Sequence, residues 1–150
     1  MRTTLFLAAL ASPFAIFAAR ASQNSASITP RQLVKPPPCV RSCENEADTK
    51  ERFEKFADAF IVKLDITEAF TYIVEDYINH NPLAQNGSDS AWGILSPIWG
   101  NQTITVLGTK FISPQGWLNY QSAFGTIVDR FRWEGGCIVE HWDQGEVFPA

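Results

Sequence analysis

Val128-Asp129-Arg130-Phe131-Arg132-Trp133-Glu134-Gly135-Gly136-Cys137-Ile138-Val139-Glu140-His141-Trp142-Asp143 reads as two strands joined by a tight turn. Gly-Gly supplies the positive φ angles that a two-residue hairpin turn demands. With Gly135-Gly136 at its centre, Trp133 falls opposite Ile138, Phe131 opposite Glu140 and Asp129 opposite Trp142. Side chains alternate along a strand, so Asp129, Phe131, Trp133, Ile138, Glu140 and Trp142 share one face. Arg130, Arg132, Val139, His141 and Asp143 share the other. The first face is aromatic with two acids in it, and the second pairs charges. A bulge in either strand would exchange the faces beyond it and bring His141 and Asp143 inward.

Upstream of the hairpin the texture is also that of strands. Thr103 to Ile112 is β-branched and aromatic, Ser113-Pro114-Gln115-Gly116 is a turn, Trp117 to Tyr120 is a further strand, and Phe124 leads into the hairpin. Earlier still the period changes to that of helices. Phe53, Phe56, Ala57, Phe60 and Ile61 form one stripe of an amphipathic helix within Glu46 to Lys63, with acids at its start where the helix dipole favours them. Asp65-Ile66-Thr67-Glu68 has the form of a capping box and opens a short second helix. Tyr77 to His80 is extended and stopped by Pro82, and Ala91 to Trp99 suits a third helix weakened by Gly93 and Pro97. Helices first and antiparallel strands later predict an α+β fold, with helices packed on one face of a curved sheet.

The first residues read differently. Met1-Arg2, an apolar run from Leu5 to Ala19 and the small residues around Ala19-Arg20-Ala21 form the three parts of a secretory signal peptide over residues 1–21. The run is short of the roughly 20 residues that a membrane-spanning helix needs, which disfavours the alternative of an N-terminal anchor. Residues 22–43, rich in Ser, Asn, Gln and Pro, are expected to be a flexible arm, and residues 44–150 the folded domain. Cleavage after Ala21 would remove Arg2 and Arg20, leaving 10 basic residues against 16 acidic and a net charge of −6. Such a chain lacks the basic face that nucleic acid requires. The expected location is the secretory lumen or the exterior, where the sequons Asn86-Gly87-Ser88 and Asn101-Gln102-Thr103 become possible glycan acceptors. Three cysteines fit that compartment. Cys39 could close a tiny loop with Cys43, or either could staple the arm to Cys137.

For chemistry, the aromatic face of the hairpin is decisive. Asp129 and Glu140 should enter a water-poor environment, where desolvation tunes a carboxyl for acid/base work. The competing reading is structural: Asp129 bonded to a neighbouring backbone group or tyrosine, Glu140 paired with Lys or Arg. His80, between a strand and a loop, is expected at a pocket mouth as a proton shuttle. Phe131, Trp142, Glu140 and Trp92 are the candidate substrate-binding residues. Dinucleotide fingerprints, nucleophile elbows and His-Glu-x-x-His are absent from the sequence, which excludes dehydrogenase, kinase, α/β-hydrolase and zincin readings.

The segment Glu75-Asp76-Tyr77-Ile78-Asn79-His80-Asn81-Pro82, followed by a helix and then by the hairpin Val128 to Asp143, resembles the SnoaL-like polyketide cyclase family of the nuclear transport factor 2-like superfamily. The similarity spans Phe53 to Pro149. It implies a conical fold in which three helices enclose a pocket against the sheet, and a homodimer formed through the sheet's outer face. It implies chemistry without metal or cofactor, in which a pocket aspartate moves a proton and donors steady an enolate. Asp129 and Arg132 match the family's Asp-x-x-Arg strand, and Glu140-His141-Trp142-Asp143 its closing motif. Either Asp129 or Asp143 could be the counterpart of the cyclase base. Trp117-Leu118-Asn119-Tyr120 stands where relatives often carry a histidine, and Cys137 replaces a basic residue. The function expected is that of a cyclase, isomerase or lyase acting on a small apolar carbonyl compound such as a polyketide-like or terpenoid intermediate. The alternative is a secreted module of the same fold that binds a small molecule, or dimerises, without chemistry.

Overall fold

A computed structural model describes residues 33–150. The signal-peptide reading lies outside the described residues. Among them no helix is long and apolar enough to cross a membrane.

Helix α1 (Glu46–Ala57) starts at Asn45, whose side-chain oxygen accepts the Asp48 N–H and so satisfies one of the open donors of the first turn. It runs into a single π-helical stretch, Asp58–Val62. The predicted stripe is its buried face, with Phe53, Phe56, Ala57, Phe60 and Ile61 all below one-tenth exposed. The carbonyl of Phe60 accepts the indole N–H of Trp99 at 2.6 Å, which ties the helix end to the short turn Trp99–Asn101. Helix α2 (Ile66–Phe70) opens on Asp65, whose carboxylate accepts the Glu68 N–H as the capping box requires. Strand β1 (Ile73–Asn79) and helix α3 (Ser88–Leu95) follow.

Four strands complete the sheet: β2 (Thr105–Ile112), β3 (Gln115–Ser122), β4 (Gly125–Glu134) and β5 (Cys137–Trp142). Their order is β1-β5-β4-β3-β2. All neighbours are antiparallel except β1, which lies parallel to β5. The inner face of the sheet meets the α1 stripe through T-shaped aromatic contacts such as Phe56 on Phe131, 4.9 Å between ring centres.

The hairpin turns at Gly135-Gly136, both at positive φ, with Trp133 opposite Ile138 as expected. Beyond that pair the register shifts. Arg132 faces Glu140, Phe131 faces His141 and Arg130 faces Trp142, so Val139 is an extra residue on β5. Cys137, Ile138 and Val139 are consecutively buried, as a bulge permits and strict alternation does not. From Glu140 onward the faces are therefore exchanged relative to the simple hairpin reading.

The end of the expected arm is held against the domain. Cys39 is bonded to Cys137. The Cys39 N–H donates to the Ile73 carbonyl and the Ser42 N–H to that of Gly135, at 2.9 and 3.0 Å. Lys35 donates to Ser88 at the start of α3 at 2.7 Å. Of the disulfide alternatives, the staple from Cys39 is the one formed, and Cys43 is free and exposed. The boundary at residue 43 thus falls inside a segment whose backbone hydrogen bonds already belong to the domain.

Candidate active site

Between the helices and the inner sheet face lies a cavity of about 480 Å³. Its wall is apolar over most of its extent, with Phe56, Phe60, Phe70, Trp99 and Phe131 supplying aromatic surface. Polar groups come from four strands, Tyr77 and Asn79 of β1, Tyr120 of β3, Asp129 of β4 and His141 of β5, joined by Asn81 and Asp143 just past strand ends and by Gln102 after the Trp99–Asn101 turn. Pockets of this make-up, apolar with a few convergent polar groups, are where ligands bind.

Asp129 is 5% exposed. Its Oδ2 accepts the Tyr120 hydroxyl at 2.8 Å, and its Oδ1 lies 2.9 Å from His141 Nε2. The other ring nitrogen, Nδ1, lies 3.1 Å from Asn79 Oδ1. That amide oxygen also accepts the Asn81 N–H at 3.0 Å, which orients the Asn79 amide. His141 Nδ1 therefore donates to Asn79, and Nε2 is the nitrogen turned to Asp129. The result is an imidazole and a carboxylate within proton-transfer distance, with a tyrosine hydroxyl on the far side of the carboxylate.

Asp143 completes the cluster. Asn81 Nδ2 donates to its Oδ2, while its Oδ1 is buried and has no protein partner. Tyr77 is held well above the ordinary tyrosine range by its burial and by the negative charges of Asp129 and Asp143, so its hydroxyl keeps its proton. Burial likewise raises Tyr120, with the charge of Asp129 and the hydrogen bond to it adding to the effect.

Oxygen and nitrogen atoms of Asp129, His141 and Asp143 lie within 4.8 Å of one another, a spacing that would suit a divalent cation. In that cluster His141 Nε2 is also the atom that faces Asp129 Oδ1 at 2.9 Å, so the same atoms are placed for proton exchange.

Of the six residues singled out from the sequence, Asp129 and Phe131 line the cavity and the other four do not. Glu140 and Trp142 stand on the outer face, because the extra residue Val139 turns them away. There Glu140 accepts from Arg132 Nε at 2.7 Å, and the Arg130 guanidinium lies 3.9 Å from the Trp142 ring centre. His80 is also outside, 2.8 Å from Glu140 and stacked on Trp142. Trp92 packs edge-on against Phe70, outside the cavity wall. The places expected for Glu140 and His80 are taken by His141 and Asp143. The apolar triplet Cys137-Ile138-Val139, which breaks alternation, is the sequence signal that locates the exchange.

No protein-family model matches the chain, and no curated protein matches it in sequence. Solved structures do. An NTF-2-like protein of unknown function from Burkholderia xenovorans LB400 superposes with a TM-score of 0.55 at 15% identity, over 70% of this chain and 88% of that one. AclR of Streptomyces galilaeus gives 0.52 at 14% identity, over 66% and 89%. A SnoaL-like protein of unknown function from Burkholderia thailandensis gives 0.50 at 10% identity, over 67% and 95%. The fold is the nuclear transport factor 2-like fold of SnoaL-like proteins. In this chain α1, α2 and α3 contribute Phe56, Phe70 and Ala91 to the cavity wall opposite the inner sheet face, and the polar cluster sits along its β1, β5, β4 side.

Proposed function

We propose that the domain is a cofactor-independent cyclase, isomerase or lyase that moves a proton on a small apolar carbonyl compound. The observation that carries this reading is the Asp129–His141 pair, a carboxylate and an imidazole 2.9 Å apart in a mostly apolar cavity. Acid/base chemistry at carbon needs an acceptor for the proton, a donor for the oxygen that becomes negative, and exclusion of water. The Asp129 carboxylate supplies the acceptor, with His141 Nε2 2.9 Å from its Oδ1. Tyr77, protonated and lining the cavity, supplies the donor. In an isomerisation the proton taken by Asp129 is returned to another carbon of the enolate, while Asp143 Oδ1, buried and without a protein partner, is free to accept a hydrogen bond from the ligand. The aromatic wall suits a flat, apolar body of polyketide or terpenoid type.

The proposal extends to location. The signal-peptide pattern in the sequence of residues 1–21 and the Cys39–Cys137 bond together support a secretory compartment, because disulfides persist where the medium is oxidising. One observation favours a second reading, binding without chemistry: both oxygens of Asp129 already accept protein hydrogen bonds.

Metabolite profiling of candidate apolar carbonyl compounds incubated with wild type and with Asp129→Asn separates the two. Catalysis predicts conversion by wild type and a loss of about 10²–10⁴-fold in the variant. Equal silence of both proteins, with a ligand retained by both, supports binding alone.

A further inference from the structure

Strands β1 and β5 run parallel with Asn79 aligned to His141, and the His80 N–H donates to the His141 carbonyl at 3.0 Å. Alternation then sorts their ends into two layers. Inside, His141 donates to Asn79, and Asn81 donates to Asp143. Outside, His80 Nε2 meets Glu140 Oε1 at 2.8 Å, and the His80 ring lies on Trp142 with centres 4.7 Å apart and planes 6° from parallel. Glu140 is held in turn by Arg132. Residue 80 therefore sits between the two asparagines that orient the cluster, and it is anchored on the opposite face of the sheet.

We propose that His80, Glu140 and Trp142 are positioning residues: an outer clamp that fixes the backbone at residues 79–81, and through Asn79 and Asn81 the placement of the His141 proton and the Asp143 carboxylate. The clamp touches nothing in the cavity. β1 ends at Asn79, and the chain then leaves the sheet for the loop before α3. Without the outer contacts, that loop could carry both asparagines away from their acceptors. This inference rests on the reading of the cluster as the acid/base centre, but its test reads the cluster directly.

The chain has two histidines, so histidine-selective ¹⁵N labelling gives one ring spectrum for each. In wild type the His141 Nδ1–H is expected as a slowly exchanging signal. In His80→Ala and Glu140→Ala its exchange with water should speed up about tenfold or more, as expected for a hydrogen bond that opens locally. His80→Gln keeps a side-chain N–H for Glu140 and should restore most of the protection. A merely structural role would lower the melting temperature without separating Gln from Ala in this exchange rate. Should His80→Ala fail to fold, His80→Val, which likewise removes both the stack and the hydrogen bond, is read in its place. Wild-type exchange in a folded Ala or Val variant overturns the proposal, as does a Gln variant as unprotected as Ala. A positive exchange result together with a wild type that converts no compound would strike the proposed function and leave the clamp standing.

Discussion

Glu140 shows how one residue's environment becomes a pH dependence. Burial alone would raise its carboxyl, yet the hydrogen bonds from His80 and Arg132 outweigh that and hold it below its ordinary value of 4.5. A depressed carboxyl stabilises the folded state fully above the ordinary value, and that contribution disappears as pH falls through the depressed one. Urea midpoints measured between pH 6 and pH 3 should therefore fall more steeply for wild type than for Glu140→Gln. Parallel curves would contradict the pairing. At this scale the sequence was a fair guide to residue types and a poor one to their neighbours. Asp129 was legible as a buried acid because it alternates with Phe131 and Trp133 on one face, and its bond to a tyrosine is what the structural reading expected. Its partners Tyr120 and His141 come from β3 and β5, and nothing along the chain announces which residues of neighbouring strands will face each other.

Elements were more legible than contacts. The α1 stripe and the Asp65 cap follow from local spacing and local hydrogen bonds, and both appear where spacing puts them. The bulge at Val139 is a tertiary choice: placing three consecutive residues in the core outweighs the ladder hydrogen bonds lost at one position. That single residue decides which half of Glu140-His141-Trp142-Asp143 enters the cavity, and for this reason the simple alternation chose the wrong pair. A second element-scale dependence lies at Gly116 on the inner face of β3. A Cβ there would come within 2.5 Å of a Phe53 ring carbon and 3.1 Å of the Trp133 indole nitrogen. Gly116→Val should cost about 1–3 kcal/mol or more through overpacking, measured by chemical denaturation. A variant as stable as wild type would show that α1 does not pack on β3 in this way.

For the whole molecule, the Cys39–Cys137 bond spans 98 residues and so closes nearly the entire domain into one loop. A loop of that size is expected to contribute about 2–5 kcal/mol, chiefly by restricting the unfolded chain. Reduction, or the double change Cys39→Ser with Cys137→Ser, should lower the unfolding free energy by that amount while leaving the cavity cluster intact. An unchanged denaturation midpoint under reducing conditions would mean that the staple adds nothing to stability. The bond also explains why the segment before α1 is ordered despite its composition. Proline and serine give it no core of its own, and it lies on the sheet edge because its backbone pairs with Ile73 and Gly135. Composition describes what a segment can bury by itself and is silent about what a distant cysteine holds in place.

Proton transfer at carbon through Asp129 and His141, as proposed, can be tested without knowing the natural substrate. A panel of apolar cyclic ketones is incubated in D₂O with the purified protein, and deuterium uptake next to the carbonyl is followed by NMR. Uptake above the buffer rate is expected with wild type, with a fall of about 100-fold or more in Asp129→Asn. Uptake at the same rate with wild type and with a folded Asp129→Asn variant would contradict it.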